Sequence, residues 1–186
     1  MARPDKLLVI DEGTTSTRAI VFDRAFAQVS LAQEDLTRGY PEDGWVGQDG
    51  EEIWNRTLAV CREAVAAAGG VGEIAGIGIT NQRETTIIWD KDTGKQIYKA
   101  IVWQDRRTSD YCRELQEAGH DPMITAKTGL LLDSYFSGTK IKWLLDNVPG
   151  AREKAGSGKL LFGTVDTFLL WHLTSGKAHS TDATNA

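Results

Sequence analysis

The alternation of apolar and polar positions changes character along the chain: short β patterns come first, and helices alternating with strands follow. Leu7 to Asp11 is a short apolar run ending in an acid, and Gly13-Thr14-Thr15 supplies turn chemistry behind it. Arg18 to Phe22 is a second β-rich run, so the pair predicts a hairpin around a tight glycine turn. Gln28 to Leu36 adds a third strand with weaker alternation. Asp49 reads as the N-cap of a helix, with Glu52 placed as in a capping box. Ile53, Thr57, Val60, Ala64 and Ala68 follow at helical spacing, and Gly69-Gly70 stops the helix. Ile74 to Thr80 reads as a buried strand carrying small residues. Thr85 to Trp89 is another strand, followed by a turn at Asp92-Thr93-Gly94. Ala100 to Trp103 is short and extended, and Arg106 to Glu117 is helical. Ser137 is placed to cap a helix reaching about Asn147, stopped before Pro149. A short strand at Leu160 to Phe162 precedes a helix from Val165 to Leu173. No internal repeat or low-complexity linker interrupts this order. It predicts a mixed sheet with helices packed on it.

Composition narrows the function classes. The 186 residues make one ordinary domain or a piece of a larger one. Hydrophobic residues at 41% and charged residues at 25% suit a globular protein rather than a disordered one. A formal charge of −5 without a large basic cluster argues against nucleic acid as a partner, because duplex binding needs concentrated Lys and Arg. No apolar run approaches the length of a bilayer span, and the first residues lack the apolar core of a signal peptide. Cys61 and Cys112 have no metal-ligand spacing and read as free thiols of a reducing cytoplasm. The last residues, Thr181 to Ala186, carry neither a stop signal nor a polar tail, so the chain is expected to end in mid-structure.

The first constellation with chemistry is Asp11-Glu12-Gly13-Thr14-Thr15-Ser16-Thr17-Arg18. A strand delivers an acid to a glycine turn, and hydroxyl residues follow. Such a turn aims backbone N–H groups and hydroxyls at phosphate oxygens, while the acid can hold a magnesium ion through its waters. It is not a P-loop, since no Gly-Lys-Ser/Thr follows. A plain hairpin turn is the alternative reading of the octet alone.

Further stretches give the octet a context. It is similar to the first phosphate motif of the actin, Hsp70 and hexokinase superfamily. Gly78-Ile79-Thr80-Asn81-Gln82-Arg83-Glu84-Thr85-Thr86, Trp103-Gln104-Asp105-Arg106-Arg107-Thr108 and Phe162-Gly163-Thr164-Val165-Asp166-Thr167 resemble the glycerol-phosphorylating branch of the FGGY carbohydrate kinases. The run from Tyr135 to Asn147 resembles that family's N-terminal signature across its whole length. The likeness covers nearly the whole chain, with the motifs in the family's order. It implies an α/β fold of the ribonuclease H-like, actin-type ATPase class, with a mixed sheet and helices on both faces. It implies that residues 1–186 are an incomplete N-terminal domain, with a second domain outside the chain. ATP and glycerol are then expected in the cleft between the two, in a cytoplasmic enzyme that forms a homo-oligomer at full length and transfers a phosphate from ATP to glycerol.

The resemblance also implies roles. Asp11, Thr14, Thr15, Ser16 and Arg18 are expected near the ATP phosphates, with Asp11 toward Mg2+. Arg83, Glu84, Trp103 and Tyr135 are expected around the glycerol. Those residue types suit a small polyol: Glu84 can accept hydrogen bonds from hydroxyls, Arg83 can donate to their oxygens, Trp103 can cover the C–H face and Tyr135 adds a wall with a polar tip. Without the resemblance, Arg83–Glu84 fits a solvated surface pair, and Trp103 and Tyr135 fit core aromatics. The catalytic base of the family is expected beyond residue 186, and none is assigned within the chain. A kinase for another polyol or sugar, or a non-catalytic binding fragment, are the alternatives.

Four local expectations follow. Glu12 stands where the branch of the family that this chain resembles has glutamine, and strand geometry should turn it away from Asp11. Arg83 and Glu84 cannot both face one ligand from a regular strand, so a bend, a bulge or a strand end is expected between Gln82 and Thr85. Lys140 and Trp143 share a helical face and read as structural, with the Lys140 stem over Trp143. The sheet should leave an unpaired edge and an uncovered apolar face. His120, His172 and His179 form no triad or metal pattern and receive no role.

Overall fold

Residues 3–185 are described by the computed structural model. Its first half contains β1 (Lys6–Glu12), β2 (Ser16–Phe22), β3 (Gln28–Asp35), β4 (Gly47–Gln48), α1 (Gly50–Ala67), β5 (Ile74–Asn81) and β6 (Ile87–Asp90). The second half contains β7 (Ala100–Ile101), α2 (Ser109–Glu117), α3 (Asp121–Thr128), α4 (Ser137–Asn147), α5 (Ala151–Gly156), β8 (Leu160–Gly163) and α6 (Val165–Leu173). The four-stranded sheet runs β3-β2-β1-β5. β1, β2 and β3 form an antiparallel meander, and β5 joins the free edge of β1 in parallel, which makes the sheet mixed.

Strand alternation decides what each face carries. Leu8, Ile10, Ala19, Val21 and Ala32 point toward α1 and pack with its Ile53, Val60 and Ala64. Val165, Phe168 and Leu169 of α6 close the same core, joined by the fully buried Trp89 of β6. Helices on both faces were expected; the two that pack on this sheet, α1 and α6, lie on one. The segment between β5 and α6 instead builds a second lobe beside the sheet, cored by Ile88, Ile101 and Leu144. The opposite face of the sheet therefore stays open. It presents Leu7, Val9, Ile20, Phe22 and Leu31, with Leu31 47% and Leu7 43% exposed.

Asp49 Oδ1 accepts from the Glu51 and Glu52 N–H groups and caps α1. Glu52 does not close a capping box, because its carboxylate takes Thr37 and Arg56 instead. β5 is a half-exposed edge strand rather than a buried one, since Gly76 and Gly78 bring no side chain to bury. α2 begins at Ser109, later than expected, because residues 103–108 are spent on turns. The short α3 and α5 carry no long apolar stripe and left no periodic signal. Cys61 and Cys112 are free and buried, and burial pushes the Cys61 thiol up to about 11. Among the described residues no helix is long and apolar enough to cross a membrane.

An open apolar sheet face invites association. The isolated chain is expected to self-associate in sedimentation velocity. Replacing Leu7 and Leu31 together by lysine should shift it toward monomer without lowering its helical signal in circular dichroism. An unchanged sedimentation coefficient would count against this use of the face.

Candidate active site

The site begins at the reversal between β1 and β2. Gly13 N–H donates to Ser16 O at 3.0 Å, which closes a tight turn, and a Cβ on Gly13 would stand 3.0 Å from that same oxygen. The N–H groups of Thr14 and Thr15 find no protein acceptor among the described residues, and Thr15 is exposed at the tip. A turn with free donors and hydroxyls is a cradle for phosphate oxygens. Two buried glutamines pin it from beneath. Gln48 Nε2 donates to Thr14 O at 2.8 Å, and Gln82 Nε2 to Gly13 O at 3.2 Å and Gln48 Oε1 at 2.8 Å. Thr85 Oγ1 completes the set by donating to Gln82 Oε1. Sequence reasoning passed over Gln48 as a site residue; its burial was the missing signal, since a buried amide must find partners.

Asp11 and Glu12 leave β1 on opposite faces, as strand geometry requires. Asp11 lies on the open face, with one oxygen 2.8 Å from the Arg18 guanidinium across the ladder. Its other oxygen has no partner among the described residues, which suits a carboxylate that holds a hydrated cation. No group of three or more potential metal-ligating side chains occurs among those residues. Glu12 is wholly buried beneath α1, where Thr57 Oγ1 donates to its Oε2 at 3.0 Å. Desolvation pushes its carboxyl up from 4.5 to about 7. Asn81 is its cross-strand neighbour, and each of the two carries a buried oxygen without a partner, Glu12 Oε1 and Asn81 Oδ1.

Regular strand geometry ends where the sequence demands that it end. β5 stops at Asn81, Arg83 and Glu84 form a turn, and Glu84 sits at φ +67°, in the left-handed region. Arg83 is exposed and makes no ion pair among the described residues. Glu84 Oε2 accepts from Ser137 Oγ at 3.3 Å, so Ser137 serves the site instead of capping α4. Trp103 follows β7, and its indole Nε1–H donates to Thr14 Oγ1 at 2.9 Å. The Tyr135 ring meets Trp103 edge-on, with centroids 5.8 Å apart. Trp143 carries the Arg107 guanidinium 4.5 Å from its ring centroid. Lys140 Nζ donates to Glu84 O and Tyr135 O, and burial lowers its pKa to about 8. The structure thus brings Glu84, Trp103 and Tyr135 to the edge of the Thr14 turn and leaves Arg83 beside them in solvent. Asp11 and Arg18 stand on the open face of the same strands.

Comparison with known proteins places this arrangement. The description "FGGY family of carbohydrate kinases, N-terminal domain" matches residues 6–186. A glycerol kinase of Ectopseudomonas mendocina is 61% identical over 97% of this chain, and glycerol kinase 1 of Pseudomonas aeruginosa is 60% identical over the same share. The chain spans 37% of the length of either relative. The crystal structure of Plasmodium falciparum glycerol kinase with ADP superposes on all of this chain and on 37% of its own, with a TM-score of 0.91 and 33% identity. A xylulose kinase from Lactobacillus acidophilus shares the fold at a TM-score of 0.77 over 90% of the chain and 33% of its own, with 17% identity.

The buried Glu12 makes stability depend on pH with a fixed sign. Its folded pKa of about 7 lies above the ordinary value of 4.5, so the folded state binds the proton more tightly than the unfolded state. That contribution is fully present below the unfolded value and is lost as pH rises through the folded one. The loss is about 3 kcal/mol. Urea titrations are expected to show Glu12→Gln and the parent converging near pH 5 and the variant clearly more stable at pH 8. Parallel stability profiles would show that Glu12 does not hold the proton.

Proposed function

The chain belongs to the FGGY family of carbohydrate kinases, and from that premise we propose that it forms the polyol- and phosphate-holding half of an ATP-dependent glycerol kinase, whose product is glycerol 3-phosphate. The observation that carries this reading is the hydrogen bond from Trp103 Nε1 to Thr14 Oγ1. It ties the wall of the polyol pocket to the turn with free N–H donors, so a hydroxyl held by one side stands next to a phosphate held by the other. Glu84 accepts hydrogen bonds from the glycerol hydroxyls, and Arg83 swings in from solvent to donate to their oxygens. Trp103 and Tyr135 cover the carbon chain and exclude water. The Thr14 and Thr15 N–H groups, with the hydroxyls of Thr14, Thr15 and Ser16, orient phosphate oxygens, and Arg18 adds positive charge.

Asp11 is the residue that would hold Mg2+ through water. The ion neutralises developing phosphate charge when bound. No acid of this chain is assigned as the base for the attacking hydroxyl. We assign that role, and most of the adenosine pocket, to a second domain outside residues 1–186. Glycerol is favoured over a longer sugar by the consecutive Arg83 and Glu84 beside Trp103. The high identity to proteins named glycerol kinase supports the same choice.

A chimaera tests the reading: residues 6–186 replace the matching segment of the Ectopseudomonas mendocina relative. Glycerol-dependent ADP release is expected, with xylulose and gluconate poor substrates. A folded chimaera that prefers either sugar would overturn glycerol as the substrate, and one inactive on all three would overturn the kinase assignment. Within the active chimaera, Glu84→Ala leaves hydroxyls and neighbouring polar groups without a partner, a loss of about 1–3 kcal/mol. That corresponds to a fall of roughly 5- to 150-fold in kcat/KM for glycerol. An unchanged kcat/KM would remove Glu84 from the site.

A further inference from the structure

We infer that Lys140 is a positioning residue, whose buried ammonium holds the backbones of Glu84 and Tyr135 at the spacing the polyol needs. The inference deepens the proposed function and rests on its placement of Glu84 and Tyr135 at the substrate. Lys140 is 0% exposed, yet its side chain forms no salt bridge with a carboxylate among the described residues. Two of its three N–H donors go to main-chain carbonyls, Glu84 O at 2.8 Å and Tyr135 O at 2.7 Å. A lysine that only filled space would keep its ammonium in water, because an uncompensated buried charge is costly. Here the charge is spent on orientation.

What it orients is a segment that does not hold its own shape. Glu84 sits at φ +67°, a region that a non-glycine residue occupies only when its surroundings over-determine it. The Glu84 carbonyl is fixed by Lys140 while its carboxylate accepts from Ser137, three residues before Lys140 on α4. Tyr135 precedes the same helix, and its N–H is held by Asp133 Oδ1 at 2.7 Å. One rigid helix therefore sets the acid and the aromatic wall together, although they are about fifty residues apart in sequence. Sequence spacing puts Lys140 on a face with Trp143; the structure adds a role for its tip.

The first test needs no substrate. In the 186-residue chain labelled for NMR, the three-bond HN–Hα coupling and the 13Cα shift of Glu84 report its φ. Lys140→Met is expected to move Glu84 out of the left-handed region, and a Glu84 that stays there overturns the proposal. If Lys140→Met does not fold, Lys140→Gln is read in the same way, with partial retention expected because its amide keeps two N–H donors on a shorter, uncharged side chain. The parent supplies an arm free of any substitution: the Lys140 15Nζ signal should exchange slowly with water, and a rapidly exchanging signal overturns the clamp. The functional test uses the chimaeric enzyme. Lys140→Met should raise the KM for glycerol at least tenfold and move the KM for ATP less than threefold. Leu144→Ala, a core cavity one turn along α4, should lower the melting temperature and leave both KM values in place. Equal effects of the two variants on glycerol KM would mean that Lys140 is merely structural. If Glu84→Ala leaves glycerol kinetics unchanged, the substrate reading falls and the NMR result on the clamp still stands. If Glu84→Ala weakens glycerol and Lys140→Met does not, the clamp alone falls.

Discussion

The break in strand geometry between Asn81 and Thr86 is the constraint on which the site depends. A regular strand would send Arg83 and Glu84 to opposite faces of a sheet. The chain instead leaves β5, turns through a left-handed Glu84, and enters β6 three residues later in a different sheet. The same five residues face two ways chemically. Gln82, braced by the Thr85 hydroxyl, hydrogen-bonds inward to Gly13 O, while Glu84 is held outward against α4. Moving this segment would loosen the Gly13–Thr14 turn and the Glu84–Ser137 contact together, because both are hung on it.

Polar groups inside the chain divide by what they do there. Asp105 and Arg107 form an ion pair only 1% exposed, with the guanidinium over Trp45 and Trp143. Its Asp105 also takes the Val46 N–H, so the pair stitches the loop before β4 to the turn after Trp103. Glu12 lacks any such cation and answers its burial by keeping a proton near neutral pH. That neutral acid presents one O–H donor beside a carbonyl acceptor and is close in shape to a glutamine amide, which offers one N–H donor more. Glu12 is thereby compatible with the phosphate role proposed for the turn beside it, since it faces the core and not the turn.

The open side of the sheet and the placement of the site belong to one architecture. α1 and α6 cover one face, and the second lobe stands beside the sheet. The Asp11–Arg18 pair lies at the polar end of the uncovered face, close in sequence to the turn with free donors. A protein of the relatives' length has nearly two thirds of its chain with which to approach that side, as the 37% coverage implies.

Elements and motif were legible because they rest on local physics. Alternation marked the meander, Asp49 and Gly69-Gly70 bounded α1, and Val165–Leu173 emerged with the limits read from the sequence. The bend at Arg83–Glu84 was also legible, since two required directions contradicted strand periodicity. Other features were decided only by tertiary structure. Whether Ile74–Asn81 was buried depended on what lay beyond it, and it proved an edge. Ser137 looked like a cap and became a partner of Glu84, because that charged acceptor is near only once the turn after β5 meets α4. Gln48, Gln82 and Lys140 gave no local signal of their roles, because each acts through main-chain oxygens distant in sequence. Pattern along the chain records which side chains want burial and which residues turn; it does not record which carbonyl a buried donor will meet, because that partner is brought there by the packing of other segments.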